Sequence, residues 1–217
     1  MEARILYQDE YIAAAFKPCG VLSEAHDSLP NMPAILRELC GCEVNVVHRL
    51  DRTTQGIRIF AKMRAAAAKL SAQIQRGEVQ KTYLAVVEGT PDEHGELTDL
   101  LYYDRTRGKS YVVRRERRGV KEAKLTYERL HTAQIGSVPV SEVRVDLLTG
   151  RTHQIRVQFA SRKMPLVGDH RYGSHVPAEQ IALCASRLRF AHPITGEPMQ
   201  FEIDPAGDAF LLFQNHI

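Results

Sequence analysis

The 217-residue sequence predicts an α+β fold in which a mixed, mainly antiparallel β-sheet is flanked by a few helices. Stretches of alternating apolar and β-branched residues outnumber helical patterns, and no linker or internal repeat divides the chain. Hydrophobic residues make up 44% and charged residues 25%, as in ordinary globular domains. A chain of this length buries enough surface to form its own core. We therefore expect a single domain that spans residues 1–217.

Eight segments are predicted as strands because apolar residues alternate in them or β-branched residues are concentrated there. They lie at residues 5–7, 11–16, 57–61, 83–87, 124–130, 142–148, 181–190 and 199–203. Asp9 and Glu10 predict a turn between the first two strands. The segment 23–33 is rich in Pro, Asn and Asp, and it predicts a loop.

Three helices are predicted, at residues 34–39, 64–76 and 153–162. Gly41 is expected to end the first helix, and Gly77 to end the second as a left-handed C-terminal cap. Thr152 is a residue type that caps helix N-termini, so we expect it to begin the third helix.

The composition excludes several classes of protein. No run approaches the roughly 20 apolar residues that span a bilayer, and the N-terminus lacks a basic region followed by an apolar run. A cytoplasmic location is therefore expected. The four cysteines (Cys19, Cys40, Cys42 and Cys184) are too few and too scattered for a disulfide scaffold or a zinc site. We expect reduced and mostly buried thiols, with neither a metal nor a cofactor.

Positive charge is concentrated in two segments. The net charge is +3, yet residues 105–129 carry +7 and residues 144–171 carry +4, which leaves −8 on the rest. Such a distribution can guide a polyanion to one face of a protein. The alternative is that the arginines of the first segment lie on a solvated loop without a specific role. The four arginines in question are Arg114, Arg115, Arg117 and Arg118.

The densest polar cluster is the segment 48–56, which follows an apolar stretch and precedes a predicted strand. Asp51 stands there between Arg49 and Arg52. Neighbouring cations favour an ionised carboxylate, which suits a nucleophile or general base. The alternative is a structural aspartate that caps a turn and pairs with one arginine.

Two further positions are candidates. Arg151 lies where a predicted strand ends at Gly150 and a helix begins, so backbone and guanidinium both present positive potential. It is placed to orient a carboxylate from another loop, or else to contact a phosphate or solvent. Tyr83 lies within an apolar strand, where a tyrosine is usually core but can also form a flat platform for a base.

The segment 48–56, His-Arg-Leu-Asp-Arg-Thr-Thr-Gln-Gly, resembles the catalytic loop of the RluA-type family of RNA pseudouridine synthases. Further segments resemble other motifs of this family, in the same order along the chain. They are residues 5–21, which contain Lys17-Pro18-Cys19-Gly20, and residues 81–85, 148–156, 165–173 and 190–193. The resemblance therefore spans nearly the whole chain and implies the pseudouridine synthase fold.

The resemblance implies an isomerase (an intramolecular transferase) with three residues at its reaction centre. Asp51 matches the catalytic aspartate, which adds covalently to the target uridine or assists departure of its base. Whether it attacks the ribose or the pyrimidine stays open. Arg151 matches the basic residue that pairs with this aspartate. Tyr83 matches the tyrosine that stacks on the flipped base and helps to move a proton.

The resemblance also implies three base-binding residues. Arg49 matches a side chain that pries the uridine out of the RNA stack, a step that costs a few kcal/mol. Leu183 matches an aliphatic position that lines the base pocket, and Ile155 is expected to pack there too, although both are equally well explained as core. Departures from the family pattern occur at Thr53, Gln55 and Cys184, which carry no assigned chemistry.

Substrate recognition is expected to come from the catalytic domain itself, because the motifs begin almost at residue 1, without the family's frequent N-terminal S4-like domain. The arginines at 114–118 are then the candidates for binding a stem-loop of transfer or ribosomal RNA. We expect neither a membrane nor an obligatory protein partner, and a monomer suffices. Two alternatives remain: a catalytically inactive RNA-binding or remodelling protein of the same fold, and a glycosidase or base-exchange enzyme that acts on nucleosides.

Overall fold

Eleven strands and four α-helices make up the computed structural model, which describes residues 2–213. The strands are β1 (Arg4–Gln8), β2 (Ile12–Lys17), β3 (Asn45–Val46), β4 (Gln55–Ala61), β5 (Gln80–Glu88), β6 (His94–Asp104), β7 (Lys109–Val113), β8 (Val120–Ile135), β9 (Val138–Leu147), β10 (Leu183–Ala191) and β11 (Pro198–Glu202). The helices are α1 (Met32–Cys40), α2 (Arg64–Gln75), α3 (Gln154–Ala160) and α4 (Asp208–Leu211), with a 3-10 helix at His170–Tyr172.

The backbone divides into two compact units. Unit 1 comprises Met1–Lys81 and Cys184–Pro205, and unit 2 comprises Thr82–Leu183 and Ala206–Ile217. In both units antiparallel strands dominate and helices are few, which confirms the predicted α+β class. The prediction that the whole chain acts as one catalytic domain stays a prediction.

Unit 1 is a sheet in the order β1–β2–β4–β10, with β11 paired to β10 and β3 paired to β4. The pairing of β10 with β4 is parallel and the other pairings are antiparallel. Alternate residues of β4 face opposite sides of this sheet. Ile57 and Ile59 pack with Leu70 of α2, whereas Phe60 packs with Leu36 of α1.

Unit 2 is an antiparallel sheet in the order β5–β9–β8–β6–β7. The short helix α3 covers one of its faces. There Val157 packs with Leu101 of β6 and Ala123 of β8, and the ring of Phe159 meets the ring of Tyr127 edge-on. The residues that immediately precede α3 are therefore held beside this face.

All eight predicted strands and three predicted helices are present, with ends that differ by a few residues. Strands β3, β6 and β7 and helix α4 were not predicted. Strands β6 and β7 were missed because turn-forming residues, glycine and charged residues interrupt their alternation. The predicted cap at Thr152 is wrong, because His153 precedes α3 in a left-handed conformation with φ of 55°.

The cysteines are free, and Cys184 alone is buried, so the expectation of mostly buried thiols is wrong. Burial raises the pKa of the Cys184 thiol to about 12, as does the nearby Asp204. Among residues 2–213, no helix has the length and apolar character needed to cross a membrane. Within the same residues, no three His, Cys, Asp or Glu side chains are grouped so as to hold a metal ion.

Candidate catalytic residues and RNA-binding surface

Asp51 lies on the loop between β3 and β4 in unit 1, at the start of a tight turn. The Thr54 N–H donates to the Asp51 carbonyl at 3.0 Å. The preceding residue, Leu50, is 7% exposed and is held on both sides by one hydroxyl. Ser23 Oγ donates to the Leu50 carbonyl at 2.7 Å and accepts from the Leu50 N–H at 3.0 Å. The backbone that carries Asp51 is thus fixed by buried hydrogen bonds.

A buried lysine supports the same loop from the end of β2. Lys17 Nζ donates to the carbonyls of Pro18, Val21 and Arg52 at 3.0, 2.8 and 3.3 Å. Burial lowers the pKa of Lys17 to about 8, and the charge of Asp51 opposes that lowering. The Asp51 carboxylate therefore lies within electrostatic reach of this ammonium group.

Two more basic residues lie near the loop, Arg58 fully buried and His48 partly buried. Arg58 of β4 is fully buried, with its guanidinium carbon 5.3 Å from the centroid of the Phe60 ring. Burial lowers the pKa of His48 well below 6.5, and the charges of Arg58 and Lys81 lower it further. The imidazole is therefore neutral, which fits the N–H of Ile59 donating to its Nε2 at 3.3 Å. Positive potential thus surrounds the base of the Asp51 loop.

Arg49 shares this loop but lies at the surface. Its guanidinium is 3.3 Å from the Glu24 carboxylate, and both side chains are more than half exposed. An exposed pair of this kind is weak, since solvent screens it. Its guanidinium can therefore leave Glu24 at little cost, which suits a side chain that changes partners when RNA arrives.

Arg151 lies in unit 2, on the turn between β9 and α3. Its Nε donates to the Glu122 carbonyl at 2.8 Å, and its N–H donates to Gln154 Oε1 at 3.0 Å. Gln154 is buried, and its amide also accepts from Thr149 Oγ1 at 2.8 Å and donates to the Lys124 carbonyl at 3.0 Å. One glutamine side chain therefore holds the backbone N–H of Arg151 and the Thr149 hydroxyl, and it anchors this turn to β8.

The other candidate residues of unit 2, Tyr83, Ile155 and Leu183, are buried. Tyr83 on β5 is 7% exposed and is paired with Val145 of β9. Ile155 in α3 and Leu183 at the start of β10 are each 4% exposed. Their burial is compatible both with a core position and with the lining of an apolar pocket.

The arginines at 114–118 lie between β7 and β8 and are exposed, as the loop interpretation predicts. Arg117 is the exception in having a defined aromatic contact, with its guanidinium carbon 4.5 Å above the Tyr102 ring. Their role in RNA binding stays a prediction.

Segments that carry the family resemblance contact one another within each unit. Lys17 of the segment 5–21 bonds to Arg52 of the segment 48–56, as described above. In the same unit His192 Nε2 lies 2.9 Å from Asp9 Oδ2. Burial alone would raise the pKa of Asp9, but hydrogen bonds from the Ile12 and Tyr11 N–H groups, together with Tyr7 and His192, lower it.

In unit 2 the corresponding contact is a buried ion pair. Arg156 Nε and Nη2 donate to the two carboxylate oxygens of Asp169 at 2.6 and 2.9 Å. These side chains are 4% and 1% exposed, and the Arg156 guanidinium also lies over the Tyr172 ring at 5.0 Å. Sequence reasoning assigned no role to Arg156, Asp169 or Lys17. One signal in the sequence could have indicated their roles. Each of these charged residues stands among apolar residues in a segment that resembles a family motif.

Comparison with known proteins identifies the family. A family model described as RNA pseudouridylate synthase matches residues 11–161. The chain belongs to this family.

Individual relatives agree. An uncharacterized RNA pseudouridine synthase of Aquifex aeolicus is 35% identical over 92% of this chain and 68% of its own length. The tRNA pseudouridine synthase C of Vibrio parahaemolyticus is 31% identical over 92% of this chain and 89% of its own. The structure of human RNA pseudouridylate synthase domain containing 1 superimposes with a TM-score of 0.76, at 24% identity, over 94% of this chain and 84% of that one. The protein is thus an isomerase of the pseudouridine synthase type.

Proposed function

We propose that this protein converts specific uridines of structured transfer or ribosomal RNA to pseudouridine, with Asp51 as the reactive carboxylate. The observation that carries the proposal is the construction of the Asp51 loop. Buried Ser23 and Lys17 side chains hold its backbone, and the carboxylate stands within the field of a buried ammonium group. A site that must position one carboxylate against a ribonucleotide needs such rigid support.

The reaction rearranges one nucleotide without changing its composition. The bond between ribose C1′ and base N1 breaks, the base rotates, and a bond between C1′ and C5 forms. A proton leaves C5 and N1 gains one, so atoms and charges balance without an oxidant or reductant. Asp51 supplies the nucleophile or base for the first step, on the ribose or on the pyrimidine.

The other proposed residues act around this step. Arg151 is the residue that matches the family's basic partner of the catalytic aspartate, and the buried Gln154 amide preorganises its backbone. Tyr83 stacks on the extruded uracil and helps to move the proton. Arg49 leaves its exposed partner Glu24 and takes the place of the flipped base in the RNA stack. Leu183 and Ile155 supply apolar contacts to the base.

The choice of RNA rests on the names of relatives. One is named tRNA pseudouridine synthase C, and another, from Zymomonas mobilis and 29% identical over 97% of this chain and 71% of its own length, is named ribosomal large subunit pseudouridine synthase D. We propose the arginines at 114–118 as phosphate contacts and a cytoplasmic location for the reaction.

The test is to map pseudouridine in RNA from cells that lack this gene, using carbodiimide-dependent stops of reverse transcription. Purified wild-type protein, Asp51→Asn and the control Asp27→Asn are then added back. Asp51→Asn keeps the size of the side chain and the backbone bond to Thr54, while it removes the carboxylate. We expect stops that are absent in the deletion to return with wild type and Asp27→Asn only.

Other outcomes would contradict parts of the proposal. Restoration by Asp51→Asn would mean that another group carries the chemistry. A deletion that changes no stop would favour the inactive RNA-binding or remodelling protein. Conversion of free uridine as fast as RNA would favour a nucleoside enzyme.

A further inference from the structure

Tyr103 is an exposed aromatic side chain near the end of β6 in unit 2. It is 38% exposed, which is unusual for a large ring on a strand whose alternate residue Leu101 is 4% exposed. Residues two apart on a strand share a face. Tyr103 therefore lies on the side of the sheet that α3 covers, because Leu101 packs there with Val157.

A chain of polar and aromatic contacts fixes the surroundings of this ring. Tyr103 meets the ring of His153 edge-on, with centroids 6.1 Å apart and planes at 87°. His153 Nδ1 lies 3.0 Å from the Tyr172 hydroxyl, which accepts from the Ser110 N–H at 2.8 Å. Ser110 is in turn the cross-strand neighbour of Tyr103. Tyr103 is therefore preorganised.

The backbone at His153 is strained in this arrangement. Its φ of 55° is in the left-handed region, which is unfavourable for residues other than glycine. Such strain persists where surrounding contacts impose it, and it is concentrated at functional sites. His153 is two residues from Arg151, so the strained turn links the Tyr103 platform to a proposed catalytic residue.

One cation lies beside the hydroxyl end of Tyr103, and a second lies over the neighbouring Tyr172 ring. At the turn after β6, a Cβ on Gly108 would lie 3.3 Å from the Arg171 guanidinium and 3.9 Å from the Tyr103 hydroxyl. Lys109 Nζ donates to the Arg171 carbonyl at 2.6 Å and lies 4.8 Å from the centroid of the Tyr172 ring. The neighbouring carboxylate, Asp104, accepts from the Arg107 N–H at 3.0 Å and so caps the turn.

An exposed aromatic ring with cations beside it is the arrangement by which proteins hold unpaired nucleotides. The ring stacks on a base and the cations contact the adjoining phosphates. The segment 105–129, which begins two residues after Tyr103, carries a net charge of +7, and this complements RNA. The adjacent residue of β6, Tyr102, faces the opposite side of the sheet and contacts Arg117 there. The Tyr103 ring therefore lies on a different face from the ring that Arg117 contacts.

We propose that Tyr103 forms a stacking subsite for an unpaired base of the substrate RNA outside the reaction centre, with Arg171 beside the adjoining phosphate. The proposal rests on the proposed function in taking RNA as the substrate. It adds a base contact on the Arg151 side of unit 2, distinct from the phosphate contacts proposed for residues 114–118.

The test measures equilibrium binding of two probes that cannot be isomerised: a short single-stranded oligoadenylate, and an abasic ribose-phosphate chain of equal length. We expect Tyr103→Ala to weaken oligoadenylate binding about 5- to 100-fold and to leave the abasic chain unchanged, since stacking is lost and charge is not. Tyr103→Phe keeps the ring and should stay within about 3-fold of wild type, because stacking needs the ring and not the hydroxyl. The control is Tyr102→Ala, at the adjacent residue of β6, whose ring faces the opposite side of the sheet and contacts Arg117.

A second variant guards against misfolding. Tyr103→Leu keeps an apolar side chain against His153 without an aromatic ring, and it should lose oligoadenylate affinity while its melting temperature matches that of Tyr103→Phe. Equal weakening of both probes, or no weakening, would overturn the stacking subsite. Because neither probe can be isomerised, a failure of the catalytic assignment and a failure of this subsite are observed in separate experiments.

Discussion

The two basic segments of the chain use their cations differently. In residues 144–171 three of the six Lys and Arg side chains meet carboxylates: Arg144 pairs with Glu128, Arg156 with Asp169, and Arg162 with Asp99. In the other segment, the arginines at 114–118 point to solvent from a loop. Both segments are rich in cations, yet in one of them these arginines face carboxylates, whereas in the other the arginines at 114–118 are exposed on a loop. A facing carboxylate separates the two groups.

The largest change in stability is expected at the buried Arg156–Asp169 pair. Arg156→Ala leaves the Asp169 carboxylate buried without its guanidinium, so we expect unfolding to cost about 3–5 kcal/mol less than in wild type. Urea denaturation measures this change. The double variant Arg156→Met with Asp169→Leu should recover most of that stability, because an apolar pair needs no partner charge. A decrease below about 1 kcal/mol for Arg156→Ala would show that the pair is not structural.

Lys17 is a buried cation of a different kind, because carbonyl oxygens and not a carboxylate accept its hydrogen bonds. Its pKa is lowered from 10.5 to about 8 in the folded protein, so between these values the unfolded chain binds more protons. The free energy of unfolding should therefore rise with pH across this window, by at most about 3 kcal/mol.

Lys17→Met should abolish that rise, whereas the exposed control Lys69→Met should keep it. Denaturation curves at a series of pH values, with each variant compared with wild type, measure the difference. Identical pH profiles for the two variants would contradict a charged, buried Lys17.

A smaller effect is expected at the half-buried pair. Arg162 Nη1 lies 2.8 Å from Asp99 Oδ2, and the two side chains are 32% and 12% exposed. Arg162→Ala should reduce the free energy of unfolding by about 1 kcal/mol, since solvent screens this pair more than the buried one. The measurement is again urea denaturation, with Lys163→Ala, its exposed neighbour, as control. A decrease as large as that of Arg156→Ala would remove the distinction between the two pairs.

The exposed loop should matter least for stability and most for RNA. Reversing charge at Arg114, Arg115, Arg117 and Arg118 together should change the free energy of unfolding by about 0.5 kcal/mol or less per site. RNA affinity should fall, and its dependence on salt should flatten by roughly one unit of log–log slope for each phosphate that the loop no longer neutralises. Filter binding of bulk transfer RNA at several salt concentrations measures both quantities. Unchanged affinity would exclude this loop as the RNA-binding surface.

Much of the fold was predictable because its signals are local. The apolar spacing of α2 and the glycine that follows it lie within a few residues of each other, as do the alternating residues of β2. The candidate residues Asp51 and Arg151 were likewise found from short motifs. Strands β6 and β7 escaped because cross-strand pairing, and not their own alternation, stabilises them.

Apolar alternation along the sequence was enough to predict the α+β class, and short motifs with their order along the chain were enough to predict the family and the candidate catalytic residues. The tertiary structure alone decided which charged side chains are structural. Lys17 reaches a carbonyl 35 positions away, and Arg156 reaches a carboxylate 13 positions away on another segment. The energy of a charge depends on the dielectric and the partners around it, and these come from residues that meet only when the chain has folded.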